Sequence, residues 1–290
     1  MSQKRRWGDR KDGRLVRSLP PMNKVSPFIM KNRIGSQNYI RDRFDMEKVN
    51  AYIQEKRRQG LKQYGILHFM ITLYARMVAQ RPYINRFLSG QRIYARYNLE
   101  CIMTIKKELT LHAQETVVKF VVKPDATVEE IYEHINSVVE ANRVEGDASS
   151  FDSAARILNH IPRVFLRFAV GFLNFLDYFG WLPKSLTDLS PFHGSMVITS
   201  MASLGIPPIF HHLYDFGNVP IFISYGVPQK EYVMDASGAV QEKSFIDYTV
   251  VTDERICDGH AFASALKLMK YYVRHPEKLD EPIVAEEDIL

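Results

Sequence analysis

Hydrophobic positions along this chain recur with two periods, and the places where the period changes mark its elements. Residues 45–60, DMEKVNAYIQEKRRQG, carry apolar side chains at helical spacing, with Asp45 placed to cap the helix and Gly60 to stop it. Residues 66–82, ILHFMITLYARMVAQRP, are apolar nearly all round, which predicts a helix buried in a large core and ended by Pro82. RIYARY (92–97), CIMTIKKE (101–108) and TVVKFVVK (116–123) have the β-branched content and partial alternation of strands. TVEEIYEHINSVVEAN (127–142) is amphipathic, and Thr127 with Glu130 fits a capping box. The aromatic-rich segment 161–183 predicts one or two helices. Three strands follow at 195–200, 219–227 and 243–253, the last two joined by a hairpin around DASG (235–238). A final helix over 260–279 sets small and apolar residues on one face and Lys/Arg on the other. Strands mixed with long helices, with no internal repeat and no Gly/Ser linker, predict one α/β domain with helices packed on a mixed sheet.

Charge changes this picture only at the ends. The chain of 290 residues has a formal net charge of +5, with 46% hydrophobic and 24% charged residues. Residues 1–25 hold eight Lys/Arg against two Asp, a net of +6, so the other 265 sum to −1. The body is therefore not a basic nucleic-acid surface, and residues 1–25 read as a basic, flexible, solubilising tail. The final residues 280–290 read as an acidic tail. Two cysteines, Cys101 and Cys257, form no disulfide framework and point to a reducing, cytoplasmic setting. No apolar run follows the N-terminal charges, so no signal peptide is expected. The greasiest stretch without a charge is the nine residues 168–176, short of the roughly 18 that a membrane span needs. Its aromatics, Phe165, Phe168, Phe172, Phe175, Phe179 and Trp181, read as core before pocket.

The chemistry concentrates near the C-terminus, in TDERICDGHAF (252–262): a strand end, an Asp-Gly corner and a helix start. With its surroundings, TVVTDERICDGHAFASALKLMKYYVRHPE, it resembles the C-terminal signature of the CoA-dependent acyltransferases, which is a strand, His-x-x-x-Asp-Gly and a helix ending near Pro-Glu. These are the chloramphenicol acetyltransferases and the acyltransferase cores of 2-oxoacid dehydrogenase complexes. FMITLYARMVAQRPYINRFLSGQRIYARYNLECIMTIKKE resembles the family's buried helix, P-x-x-N turn and strand pair. WLPKSLTDLSPFHGSMVITSMASLG and PIFISYGV resemble the segments that follow, in order. The likeness runs over residues 26–279, the acyltransferase-like domain, and implies a chloramphenicol acetyltransferase-like two-layer sandwich.

The resemblance implies roles residue by residue. The motif histidine, the general base, is matched by Glu254. The motif aspartate and glycine are matched by Asp258, a structural partner that orients the site, and by Gly259, where the chain turns into the helix. The hydroxyl that steadies the oxyanion is matched by Thr199, with Ser200 the choice if the alignment slips by one. Arg33 is the candidate partner of Asp258. The family draws hydroxyl and base from different subunits, so a homotrimer is implied. Acyl-CoA is the implied cosubstrate, with no covalently bound cofactor, and the acceptor a small molecule or a dihydrolipoyl-like thiol. With no lipoyl-lysine segment in the sequence, a standalone trimer is expected in place of a swinging-arm subunit.

The substitution at Glu254 has a physical weight. A positioned base contributes about 10²–10⁴-fold, and a carboxylate titrating near about 4.3 is a poor acceptor for a thiol near about 8.5. Burial would make it a better one. Arg255 next to it need not point into the same site, because adjacent strand residues face opposite sides. Two functions follow: an acyltransferase with Glu254 as its base, or a non-catalytic trimeric relative serving as scaffold or as a binder of a CoA-like ligand or partner. Among other candidates, His260 reads as a helix-start residue and His193 as a loop residue. His211 and His212 stand in a loop longer than the family's usual one, without carboxylate or cysteine at ligand spacing, so no metal site is expected. Cys257 reads as a small core residue.

Overall fold

In a computed structural model, residues 5–106, 115–143 and 160–288 are described. Residues 107–108 of the expected strand, and the extreme ends 1–4 and 289–290 of the two tails, lie outside them. The strands are β1 (Gly13–Leu15), β2 (Gln37–Asp45), β3 (Arg86–Ser89), β4 (Arg92–Arg96), β5 (Leu99–Lys106), β6 (Glu115–Val122), β7 (Met196–Ser200), β8 (Ile221–Met234) and β9 (Val240–Asp253). The helices are α1 (Pro21–Ile29), α2 (Met46–Arg58), α3 (Ile66–Gln80), α4 (Val128–Arg143), α5 (Arg163–Tyr178), α6 (Lys184–Leu189) and α7 (Gly259–Arg274). Six strands make one mixed sheet in the order β2-β9-β8-β7-β5-β6, in which β7 runs parallel to both β5 and β8. A second, small sheet has the order β1-β4-β3.

The core lies between the large sheet and the layer of α2, α3, α4 and α7. Every residue of α3 from His68 to Ala79 is buried, as its all-round apolar sequence requires. Its side chains pack with Ile131 and Ile135 of α4, Met269 and Tyr272 of α7, and Ile198, Ile223 and Val250 of the sheet. Each such side chain contributes about 1.5–3 kcal/mol when fully buried. The predicted caps are present. Asp45 accepts from the Glu47 amide at 3.0 Å. Thr127 and Glu130 exchange bonds of 2.8 and 3.1 Å, closing the capping box.

Three expectations need correction. The basic leader is not free through residue 25. β1 pairs with β4, and the buried Arg10 reaches Asp177 at 2.6 Å and Asp12 at 3.0 Å. A guanidinium is charged in any setting, so burying it this deeply requires such partners. The acidic C-terminus is likewise engaged, with Asp288 taking both arms of Arg86 at 2.6 Å. Third, the aromatics of 165–181 are not core: Phe168 is 72% and Trp181 60% exposed. The leucines of α5, not its aromatics, turn toward the protein.

The unpredicted strand β2 shows why patterning missed it. It is an edge strand paired over nine residues with β9, and only Phe44 along it is buried. Its charges answer its neighbour, with Arg41 and Arg43 at 2.9 and 3.2 Å from Asp247. Beyond an irregularity between Tyr225 and Pro228, β8 and β9 run on as a hairpin that leaves the packed part of the sheet, and Tyr232, Met234 and Val240 are exposed on it.

Candidate functional site

The Asp-Gly corner is built on a buried ion cluster. β9 ends at Asp253, which is fully buried. Arg255 grips it with Nε and Nη2 at 2.8 and 2.7 Å, and Arg33 approaches from the other side at 3.4 Å. Arg33 also donates to the Tyr214 carbonyl at 2.5 Å, and Arg255 to the Met30 carbonyl at 2.8 Å. Burial pulls the Arg33 guanidinium below its usual value; Asp253 opposes this and the Arg255 charge adds to it. One carboxylate thus ties the segments around residues 30, 214 and 255 into a rigid block.

Glu254 stands on that block. Its amide donates to the Ser36 carbonyl at 2.9 Å, while its side chain is exposed and Arg255 is buried. Both residues stand in the turn past the end of β9, so this difference does not come from strand alternation, and Glu254's own chain supplies no burial. Asp258 caps α7, its carboxylate accepting from the Ala261 amide at 2.8 Å. Arg33 is therefore not the partner of Asp258; it serves Asp253, five residues upstream. Gly259 begins the helix outside the left-handed region, and a Cβ there meets nothing within 4 Å, so this corner makes no steric demand for glycine.

The hydroxyl candidates separate by face. Val197, Phe222 and Val251 pack with Leu213 on the side of the sheet away from the helices. Thr199, Ser224 and Thr249 lie two residues along from these and share that outer face. Ser200 falls on the helix side at the strand end, beside Tyr225, whose hydroxyl is pushed up by burial and less strongly lowered by Ser200. In register, Thr199 pairs with Ser224 and Ser224 with Thr249. Because β9 is antiparallel, Glu254 lies five residues beyond Thr249 at the far end of the sheet. At about 3.3 Å per residue and 4.8 Å per strand, the two candidates stand roughly 19 Å apart. A single chain does not bring them together.

The loop of residues 205–218 crosses the same outer face. Ile209 receives a 2.5 Å bond from Thr249 Oγ1 and donates its amide to Ser224 Oγ at 3.2 Å. His211 lies flat on Phe222, ring centres 4.2 Å apart, and stacks on His212 at 4.6 Å. An imidazole therefore stands over the strand next to Thr199, a placement with no signal in the sequence. Burial holds His211 below the usual imidazole value, opposed by the bond to the His212 carbonyl and helped by the His212 ring. No group of three or more metal-ligating side chains occurs among the described residues.

The remaining candidates fall elsewhere. His193 is buried, with Nδ1 2.8 Å from Ser190 Oγ and Nε2 3.5 Å from Asp177, a structural link and not an ordinary loop residue. Cys257 is buried, and burial pushes its thiol up to about 12, which leaves it inert. His260 is exposed at the helix start, as expected. Beside the corner lies an open polar cleft of about 420 Å³ lined by Lys31, Arg33, Arg255, Asn174, Asp177 and Asp215. Between α3, α7 and the sheet there is only a gap of about 30 Å³, room for a water and no substrate.

A scan against protein-family models finds no match, and a search of curated proteins finds none. Solved structures do match. A dihydrolipoamide acetyltransferase of Azotobacter vinelandii, 11% identical, aligns with a TM-score of 0.58 over 92% of this chain and 94% of its own. That structure was solved to study a serine, a histidine and an asparagine four residues further on in its catalytic mechanism. A probable dihydrolipoamide acetyltransferase of Listeria monocytogenes is 15% identical, with a TM-score of 0.56 over 89% of this chain and 95% of its own. A chloramphenicol acetyltransferase is 10% identical, with a TM-score of 0.56 over 90% of this chain and 99% of its own. At such identities the likeness is one of fold. The chain has the fold of the CoA-dependent acyltransferases, the chloramphenicol acetyltransferase-like α/β sandwich.

Proposed function

We propose that the chain is a trimeric acyltransferase that moves an acyl group between CoA and a thiol or hydroxyl acceptor. Its site forms between copies, with Thr199 from one and Glu254 from the next. The observation carrying this reading is the placement of these two groups at opposite ends of one sheet, Glu254 exposed on a rigid ion-paired block. Within one chain they are useless to each other, and between chains they complement. Glu254 takes the acceptor proton as the acceptor sulfur or oxygen attacks the thioester carbonyl carbon. Thr199 Oγ1–H donates to the oxyanion. Collapse expels the CoA thiolate, which recovers the proton from Glu254.

Free-CoA release from acetyl-CoA, with thiol and hydroxyl acceptors, tests this. Glu254→Gln is expected to lower turnover about 10²–10⁴-fold, and a Glu254→Gln enzyme as active as wild type refutes Glu254 as the base. Activity that survives Glu254→Gln but falls in His211→Gln moves the base to the imidazole on the Thr199 face. The second reading, a non-catalytic trimeric relative, is favoured by the exposure of Glu254, which denies it the burial a carboxylate base needs. A silent wild type beside an active Glu254→His selects that reading.

A further inference from the structure

Helix α5 carries a wide apolar arc and covers only part of it. At about 100° per residue, Leu166, Leu173 and Leu176 share a sector with the buried Asp177 and are half-buried. Phe165, Phe168, Phe172 and Phe175 fill the adjoining sector, within an arc of about 80°, and all are exposed. The helix end extends this outer face. Gly180, at φ 71°, donates to the Asp177 carbonyl at 3.0 Å while the Trp181 amide donates to Leu176 at 2.8 Å, the paired bonds of a Schellman stop. That turn folds Trp181 back to 6.0 Å from Phe175 and 5.0 Å from Phe179. The result is one continuous aromatic surface, larger in kind than the scattered exposed hydrophobics of an ordinary surface.

Its charge is one-sided. Arg163 and Arg167 are exposed too, about 160° and 120° round the helix from the centre of the aromatic arc. The only acid between Arg163 and Pro183 is Asp177, turned inward onto Arg10. The arginines occupy the N-terminal half of the helix, with no acid in the first turn, where the dipole disfavours cations. They therefore gain nothing from the helix they sit on. A span is excluded by length and charge, since none of the described helices is long and apolar enough to cross a membrane. Aromatics on one face with arginines on the polar side across from them fit a helix lying in the plane of a lipid surface.

We propose that α5 and the Phe179–Trp181 turn are a membrane-docking face that seats the protein on anionic lipid. The arginines meet the headgroups and the aromatic face enters the acyl boundary. This docking is independent of the acyl-transfer reading.

The test is sedimentation of the full-length chain with vesicles of phosphatidylcholine alone or mixed with phosphatidylglycerol, together with tryptophan emission. The chain is expected to sediment with the mixed vesicles, less so as salt rises, with a blue-shifted emission that Trp181→Phe removes. Phe168→Asp combined with Phe172→Asp is expected to lower partitioning at least about tenfold, and Arg163→Glu with Arg167→Glu to abolish the preference for phosphatidylglycerol. All four residues are exposed, and an unchanged circular dichroism spectrum and melting temperature verify the fold. A chain left in the supernatant with both vesicle types overturns the proposal. So does a smaller oligomer on light scattering of the Phe168→Asp, Phe172→Asp variant, which would assign the face to a second copy.

Discussion

Asp177 joins three segments far apart in sequence. It holds Arg10 of the leader, its main-chain carbonyl accepts from Ser89 Oγ at 3.1 Å, and it faces His193 at 3.5 Å. Burial alone would raise its pKa; His193 and Arg10 outweigh that and bring it from an ordinary 3.8 down to about 2. The stabilisation is complete above pH ~4 and is lost as pH falls from there through ~2, and it amounts to about 2 kcal/mol. Urea denaturation followed down in pH is expected to show this loss in wild type and not in Asp177→Asn; parallel profiles would refute it. Asp253 allows a sharper contrast with its neighbour. Asp253→Asn leaves two buried guanidiniums around a neutral amide and is expected to cost about 3–5 kcal/mol. Glu254→Gln, on the exposed side of the same corner, is expected to stay within about 0.5 kcal/mol. Chemical denaturation of both variants checks that only one of these carboxylates serves stability.

Among the elements, those that cover the core were legible and those at its margins were not. α3 and α4 declare themselves because their periodicity is their burial. β2, β1 and α1 carry few buried apolar residues, so nothing in their sequence alternates strongly enough to mark them. The two glycines that frame the site behave oppositely. Gly217 has a φ of 84°, and a Cβ on it would overlap the main chain of Phe192. Gly217→Ala is expected to destabilise by about 1–3 kcal/mol and to loosen the 205–218 loop. Gly259, in the open first turn of α7, is expected to accept alanine with a gain of about 0.4–1 kcal/mol. Thermal melts of the two variants should therefore shift in opposite directions.

For the whole molecule, the separation of Thr199 from Glu254 makes assembly the central question. The β8–β9 hairpin leaves its own sheet with Tyr232 and Met234 exposed on one face and Val240 opposite Met234. Such residues on a projecting hairpin are suited to a neighbouring copy. Light scattering is expected to give three chains per particle for wild type and a smaller species for Tyr232→Asp with Met234→Asp. CoA release should fall with assembly in that variant, although neither residue touches the proposed reacting groups. A monomeric wild type would remove the shared site and with it the proposed role of Glu254.

The sequence by itself determined an α/β domain with helices packed on a mixed sheet, the core helices with their caps, and the Asp-Gly corner between the last strand and the last helix. These depend on local periodicity and on residues adjacent in the chain. Tertiary structure alone decided the rest. It gave Arg33 to Asp253 and left Asp258 a helix cap, because partners for a buried charge are chosen by three-dimensional proximity. It drew the basic leader and the acidic end onto the body through Arg10 and Arg86. It turned the aromatics of α5 outward, since a helix with a wide apolar arc does not reveal from sequence which part of it the protein covers. And it set Thr199 and Glu254 at opposite ends of one sheet, because strand order and direction, not spacing along the chain, fix how far apart two residues stand.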